Sequence, residues 1–331
     1  MVSFILPTLN AESLLRQCLE SVRRQDYPGD RHEILVADGG STDRTVEIAK
    51  SFDCTIVDAA GMMAEAAKSL AFTQAKGTYL ALIDTDNEIT ESSWLTRAIA
   101  ALERHPNAMG YESYYFKHPA DTHLNAYLTG LLQISDPCAK IMSSPLKLMA
   151  VEEDGAEIFQ LPTDGGYPTG ANGFIFPRSH LEKMTKGHAY HEAAFFPALM
   201  RLGITKLVKI PGLGVHHHYV EGWNDFLKKR RRAMIIYMLR KQEIRETWDQ
   251  AGLHTRKILA ILYAATFIGP LLEGSWRAIV QRDTDWLLHP FACAVSVIGN
   301  VWGILDFQRL DTSEERARMS RRLGPGEGRE G

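Results

Sequence analysis

Cysteine is scarce in this chain: the four residues Cys18, Cys54, Cys138 and Cys293 lie far apart with no Cys-x-x-Cys pair, which fits neither a zinc site nor a disulfide framework. A reducing, cytosolic setting is the resulting expectation. An excess of positive charge is also lacking. The formal net charge is -3, so no global field draws nucleic acid and any polyanion site must be local. No basic segment followed by a long apolar run opens the chain; Val2–Thr8 reads as a strand and not as a secretory signal. Uninterrupted apolar runs of transmembrane length, roughly 20 residues, are missing too. Ile258–Leu272 is short and broken by Gly269 and Pro270, and Trp286–Leu305 contains His289, Pro290 and Asn300.

What is present is enough apolar material for a core, 45% of 331 residues, and a clear alternation of elements. Residues 2–6 and 33–37 are apolar runs of buried-strand length, and 11–24 between them carries Leu14, Leu15, Cys18, Leu19 and Val22 at helical spacing. A helix over 45–52, a strand over 55–57, a helix over 62–75, a strand over 78–83 and a helix over 92–104 continue the pattern. Such alternation predicts a mostly parallel sheet covered on both faces. Beyond residue 110 the pattern is irregular, with a strand at 174–176, a helix over 191–202 ending at Gly203, and apolar strand pieces at 207–210 and 214–215.

In parallel α/β sheets ligands bind beyond the carboxyl ends of the strands. Here those ends carry Thr8 and Asn10, Asp38, and Asp84-Thr85-Asp86. The last is the most informative, because a buried strand delivering two carboxylates needs a cation between them or a partner. Mg²⁺ or Mn²⁺, bound by one or two carboxylates and phosphate oxygens, suits that need. The alternative is an acidic loop that caps the next helix.

Taken in order, Phe4-Ile5-Leu6-Pro7-Thr8-Leu9-Asn10, Ile34 to Asp43 and Asp84-Thr85-Asp86 resemble the family-2 glycosyltransferases over about residues 2–235. The resemblance implies a GT-A fold and a nucleotide-diphosphate sugar donor. It further implies that Pro7, Thr8, Asn10 and Asp38 hold base and ribose, that Asp86 binds the metal, and that Asp84 lies near ribose or metal. Lys68 stands where the family often has an arginine and is expected to meet the nucleotide, a solvated helix lysine being the alternative. Gly170 and Asn172 resemble the family's glycine-rich turn near donor sugar and acceptor. Glu192 falls at the family's acidic pair and is the candidate general base of an inverting transfer, a first-turn helix acid being the alternative. Of His216-His217-His218, strand alternation puts His216 and His218 on one face, and His216 is expected to complete the metal or diphosphate site. Within Lys228–Arg232, Arg230 is expected at the diphosphate, while the cluster as a whole suits anionic headgroups. The family's processive Gln-x-x-Arg-Trp motif is absent, which disfavours polymerisation.

The expected organisation is a GT-A catalytic domain over 1–235, with a nucleotide-binding half at 1–110 and an acceptor-side half at 111–235. A helical membrane-associating region over 236–311 and a mobile tail over 312–331 follow. Two apolar helices there either span as a hairpin or lie in the interface with Trp276, Trp286 and Trp302 at headgroup depth. The functional expectation is transfer of a sugar to a lipid-linked saccharide or polyprenyl phosphate at the cytoplasmic face of the cell membrane, without nucleic acid. Nucleotidyl transfer and an inactive membrane-bound scaffold of the same fold are the rivals.

Overall fold

The computed structural model describes residues 1–131, 136–138, 144–162, 172–184, 192–239, 259–260, 262–264 and 266–310. A nine-stranded sheet forms the backbone of the fold, in the order β3-β2-β1-β4-β10-β6-β11-β9-β8. β1 (Val2–Thr8), β2 (His32–Asp38), β3 (Thr55–Asp58) and β4 (Tyr79–Leu82) are the parallel part. β10 (Phe174–Pro177) runs antiparallel to both β4 and β6 (Gly110–Glu112), and β11 (Lys206–Lys209), β9 (Glu157–Gln160) and β8 (Lys147–Val151) complete a mixed second half.

The apolar runs form β1, β2 and β4 because they are buried on both faces: Phe4, Ile5, Leu6, Val36, Leu80 and Ala81 are all fully enclosed. One side of the sheet is covered by α1 (Glu12–Arg23), α2 (Thr45–Ser51) and α4 (Trp94–Arg104), the other by α3 (Ala64–Gln74), α6 (Ser179–Met184) and α7 (Glu192–Arg201). α1 buries Leu15, Cys18, Leu19 and Val22, the stripe its sequence spacing predicts.

A second, three-stranded sheet sits at the carboxyl edge of the first. Its centre, β12 (Gly214–His217), pairs antiparallel with β5 (Asn87–Ile89) and parallel with β7 (Tyr114–Phe116). Sequence patterning missed β5 and β7, since three residues carry no period. Beside it pack α5 (His123–Thr129), α8 (Trp223–Leu239), α9 (Ile268–Val280) and α10 (His289–Arg309).

Two C-terminal helices are present, but the first starts later than expected: Phe267, at φ 57°, breaks the stretch 258–272, and α9 runs on to Val280. Pro270 and Pro290 fall in the first turns of α9 and α10, where no intrahelical bond is lost, so neither breaks its helix. Trp286 belongs to a 3₁₀ turn (Thr284–Leu288) and is only 1% exposed, edge-on to Tyr127; it does not join Trp276 and Trp302 on the surface. Among the described residues one helical stretch, Thr284–Arg309, is long and apolar enough to cross a membrane. The tail over 312–331 lies outside the described residues.

Candidate active site

The register of the small sheet builds the site. β12 pairs with β5 so that His217 faces Asn87, the neighbour of Asp86, and the His218 amide donates to the Asp86 carbonyl over 2.8 Å. The Asp86 carboxylate thereby meets the His217 imidazole, Nε2 to Oδ2 at 3.5 Å, and accepts from Asn87 Nδ2 at 3.1 Å. Burial works against the charge on Asp86, but His217, through charge and hydrogen bonding, and Lys229, through charge, outweigh it and hold this carboxyl below the usual range.

His217 is itself fixed from several sides. Asn172 Nδ2 lies 3.3 Å from its Nε2, the Tyr115 ring stands edge-on at 5.4 Å, and Asn125 Nδ2 donates to its carbonyl at 2.9 Å. Gly173 makes the turn that delivers Asn172. Its φ is +70°, and an added Cβ would lie 2.4 Å from Ser113 Oγ.

Strand alternation thus separates the histidines as expected, with the faces exchanged in role. His216 bonds the Phe116 carbonyl at 3.0 Å and stacks edge-on with His118, away from Asp86, and His217 takes the place expected of it. Cross-strand pairing decides this, and a single strand's sequence does not contain it.

Lys68 is neither solvated nor open to a nucleotide. It is 1% exposed, with Nζ 3.0 Å from Asp84 Oδ1, and so holds the Asp84-Thr85-Asp86 turn from beneath. The alanine-rich α3 gives no apolar stripe from which to read that burial. Asp38 is enclosed by its own loop: it accepts from the amides of Gly40 at 3.2 Å and Ser41 at 3.0 Å and from Ser41 Oγ at 2.5 Å. Thr8 Oγ1 approaches it at 3.5 Å, while Pro7 lies within the β1–β2 pairing. Asn10, at φ 50°, accepts from the Thr42 amide at 2.9 Å, tying the first strand's end to the same loop.

An open cavity of about 690 Å³ runs from Asn10 past Asp86 to the head of α8, lined there by Tyr219, Trp223, Lys228 and Lys229. Lys229 Nζ lies over the Tyr219 ring at 4.5 Å and bonds the Tyr219 carbonyl. Arg230 is absent from this lining, contrary to expectation. One helical step round α8 turns it inward, to Asp136 at 3.3 Å. Gly170 lies outside the described residues, and of Glu192 only its backbone place as the first residue of α7 is described.

Among the described residues no three His, Cys, Asp or Glu side chains converge as a closed metal site. What the chain offers is an open arrangement: the Asp86 carboxylate at the cavity lining with the buried His217 imidazole behind it, which fits a hard divalent cation that draws its other ligands from substrate oxygens. Asp84 is already paired with Lys68.

A parallel first half continued by a mixed second half, with Asp-Thr-Asp at the carboxyl edge, has the architecture of the GT-A folds. Residues 3–129 match the family model of glycosyl transferase family 2, and this segment is similar to that family. It is 34% identical over 108 residues to the glycosyltransferase AglE of Haloferax volcanii, a match spanning 30% of this chain and 35% of that protein. With the PGL/p-HBAD biosynthesis glycosyltransferase of Mycobacterium bovis it shares 33% over 111 residues, 32% of this chain and 43% of the relative. The matches therefore span less than half the length of these curated relatives. Over nearly the whole chain, 91% of it and 87% of the other, the fold is similar to the mannosyltransferase PcManGT of Pyrobaculum calidifontis, with a TM-score of 0.55 at 18% identity.

Proposed function

We propose that this protein is an inverting, divalent-cation-dependent glycosyltransferase. It moves a sugar from a nucleoside diphosphate donor to a lipid-linked saccharide or polyprenyl phosphate at the cytoplasmic face of the cell membrane. The observation that carries the reading is the β5–β12 register, which backs Asp86 with the His217 imidazole where Asp86 lines an open cavity bordered by Lys228 and Lys229. PcManGT, similar in fold, was solved with GDP-Man and Mn²⁺, the ligand chemistry this reading assigns.

Each group has a distinct task. The loop from Asp38 to Asp43, braced by Thr8 and Asn10, receives the nucleoside. Lys68 keeps Asp84 and hence the acidic turn in place. Asp86 and His217 would hold Mg²⁺ or Mn²⁺, which when bound neutralises charge building on the departing diphosphate. Lys228 and Lys229 add positive charge on the acceptor side of that mouth. Glu192 serves as base toward an acceptor hydroxyl, a role that lapses if the acceptor is an already anionic phosphate.

Hydrolysis of nucleotide-sugar donors by the purified protein with Mn²⁺ tests this. Asp86→Ala should lower the rate by about a hundredfold or more. Equal rates for parent and variant would refute the assignment.

A further inference from the structure

The outward sides of α9 and α10 are apolar. On α9, Ile268, Leu272, Trp276 and Ile279 are 59–77% exposed and recur every three or four residues, which places them along one side of the helix. On α10, Phe291, Ile298, Val301, Trp302 and Leu305 are exposed in the same way. The opposite side of α10 carries Ala292, Ser296, Gly299 and Gly303, and there it lies against α8. A Cβ added at Gly299 would come 2.7 Å from Arg230 Cβ, and one at Gly303 2.6 Å from the Arg231 carbonyl.

We infer that α9 and α10 lie flat on an anionic bilayer as a docking face and do not cross it, an inference that rests on the reading of this protein as a membrane-face transferase. Length alone does not decide between the two arrangements. The 21 residues of α10 extend about 32 Å, close to the roughly 30 Å of a hydrocarbon core. Packing decides it. Asp136, the partner of Arg230, also accepts from Ser296 Oγ on α10 at 2.6 Å, and Arg231 pairs with Asp306 on α10. A crossing α10 would draw α8 with it, taking Lys228 to Arg232 and these ion pairs into hydrocarbon, where no water compensates.

Lying flat buries only the apolar side. Cations border that side: the Arg231 guanidinium is 4.6 Å from the Trp302 ring centre, that of Arg277 is 5.9 Å from Trp276, and Arg282 and Arg309 are exposed at the ends of α9 and α10. Cations outnumber acids along this rim: Glu273 offsets Arg277, but the single carboxylate of Asp306 is shared by Arg231 and Arg309, and Arg282 adds a further charge. Tryptophan beside arginine at the rim of an apolar face matches the headgroup region of anionic lipid. A second copy of the chain is the rival occupant.

The full chain is floated with sealed vesicles of phosphatidylglycerol and phosphatidylcholine, and an added cysteine, Thr284→Cys or Gln308→Cys, is labelled from outside with a membrane-impermeant maleimide, the labelling of the parent's Cys18, Cys54, Cys138 and Cys293 being subtracted. Both are expected to label to the same extent; protection of one would mean a crossing helix and overturn the inference. Trp276→Glu combined with Ile279→Glu should reduce the vesicle-bound fraction at least tenfold while donor hydrolysis in solution stays unchanged, which also shows the variant folds. Absence of vesicle binding by the parent, or a dimer in solution that the double substitution dissociates, overturns the inference as well. Loss of donor hydrolysis in the parent would strike the transferase reading and leave the vesicle result standing.

Discussion

At the scale of single residues, the site turns on which histidine of three meets Asp86. Because His217 does and His216 bonds a backbone carbonyl, the two alanine variants should separate. His217→Ala should weaken Mn²⁺-dependent nucleotide binding by about ten- to a hundredfold, and His216→Ala should leave it within a few-fold, as measured by titration calorimetry. The reverse order would put the metal on the other face of β12.

His180 offers a pH prediction at the same scale. It is 1% exposed and its Nε2 donates to the Ala108 carbonyl at 2.9 Å; burial depresses its pKa, partly offset by that bond. Below the ordinary histidine value of about 6.5 the unfolded chain takes up a proton that the folded one resists, so this contribution to stability is present above that pH and is lost as pH falls through it toward the lower folded value. Denaturant titrations from pH 7.5 to 5.5 should show a decline in stability that His180→Gln flattens.

At the scale of elements, the turn before β10 is the most demanding. Gly173→Ala meets both a positive φ and Ser113 Oγ, and is expected to cost about 1–3 kcal/mol and to displace Asn172 from His217, read as a lowered Tm and a weaker nucleotide affinity. The same scale shows what is legible in sequence. β1, β2 and β4 announce themselves as short apolar runs, and α1 as an apolar stripe, because burial on both faces or on one writes itself into local composition. The strand-end residues Thr8, Asn10, Asp38, Asp84 and Asp86 follow from that frame. Non-local choices do not: the face of β12 turned to Asp86 is set by its pairing with β5, the burial of Lys68 by the depth of α3, and the inward turn of Arg230 by Asp136. Trp286 likewise looked like an interfacial residue until its 3₁₀ turn placed it against Tyr127.

At the scale of the whole molecule, the cavity beside Asp86 and the apolar helix face share one element. α8 begins with Trp223, Lys228 and Lys229 at the cavity and continues as the helix against which α10 packs. An acceptor anchored in a bilayer under α9 and α10 would therefore have its head group brought toward Asp86 by the length of a single helix. Ion pairs tie that helix to α10: Asp136 takes Arg230 and Ser296, and Arg231 meets Asp306.

Thermal unfolding of the full chain with a panel of nucleoside diphosphates, with and without Mn²⁺, tests the central assignment most directly. One nucleotide should stabilise the protein only when Mn²⁺ is present, by about 2.7 kcal/mol at a hundredfold excess over Kd, and Asp86→Ala should abolish the effect. Stabilisation that ignores both the metal and Asp86, or none with any nucleotide, would contradict it.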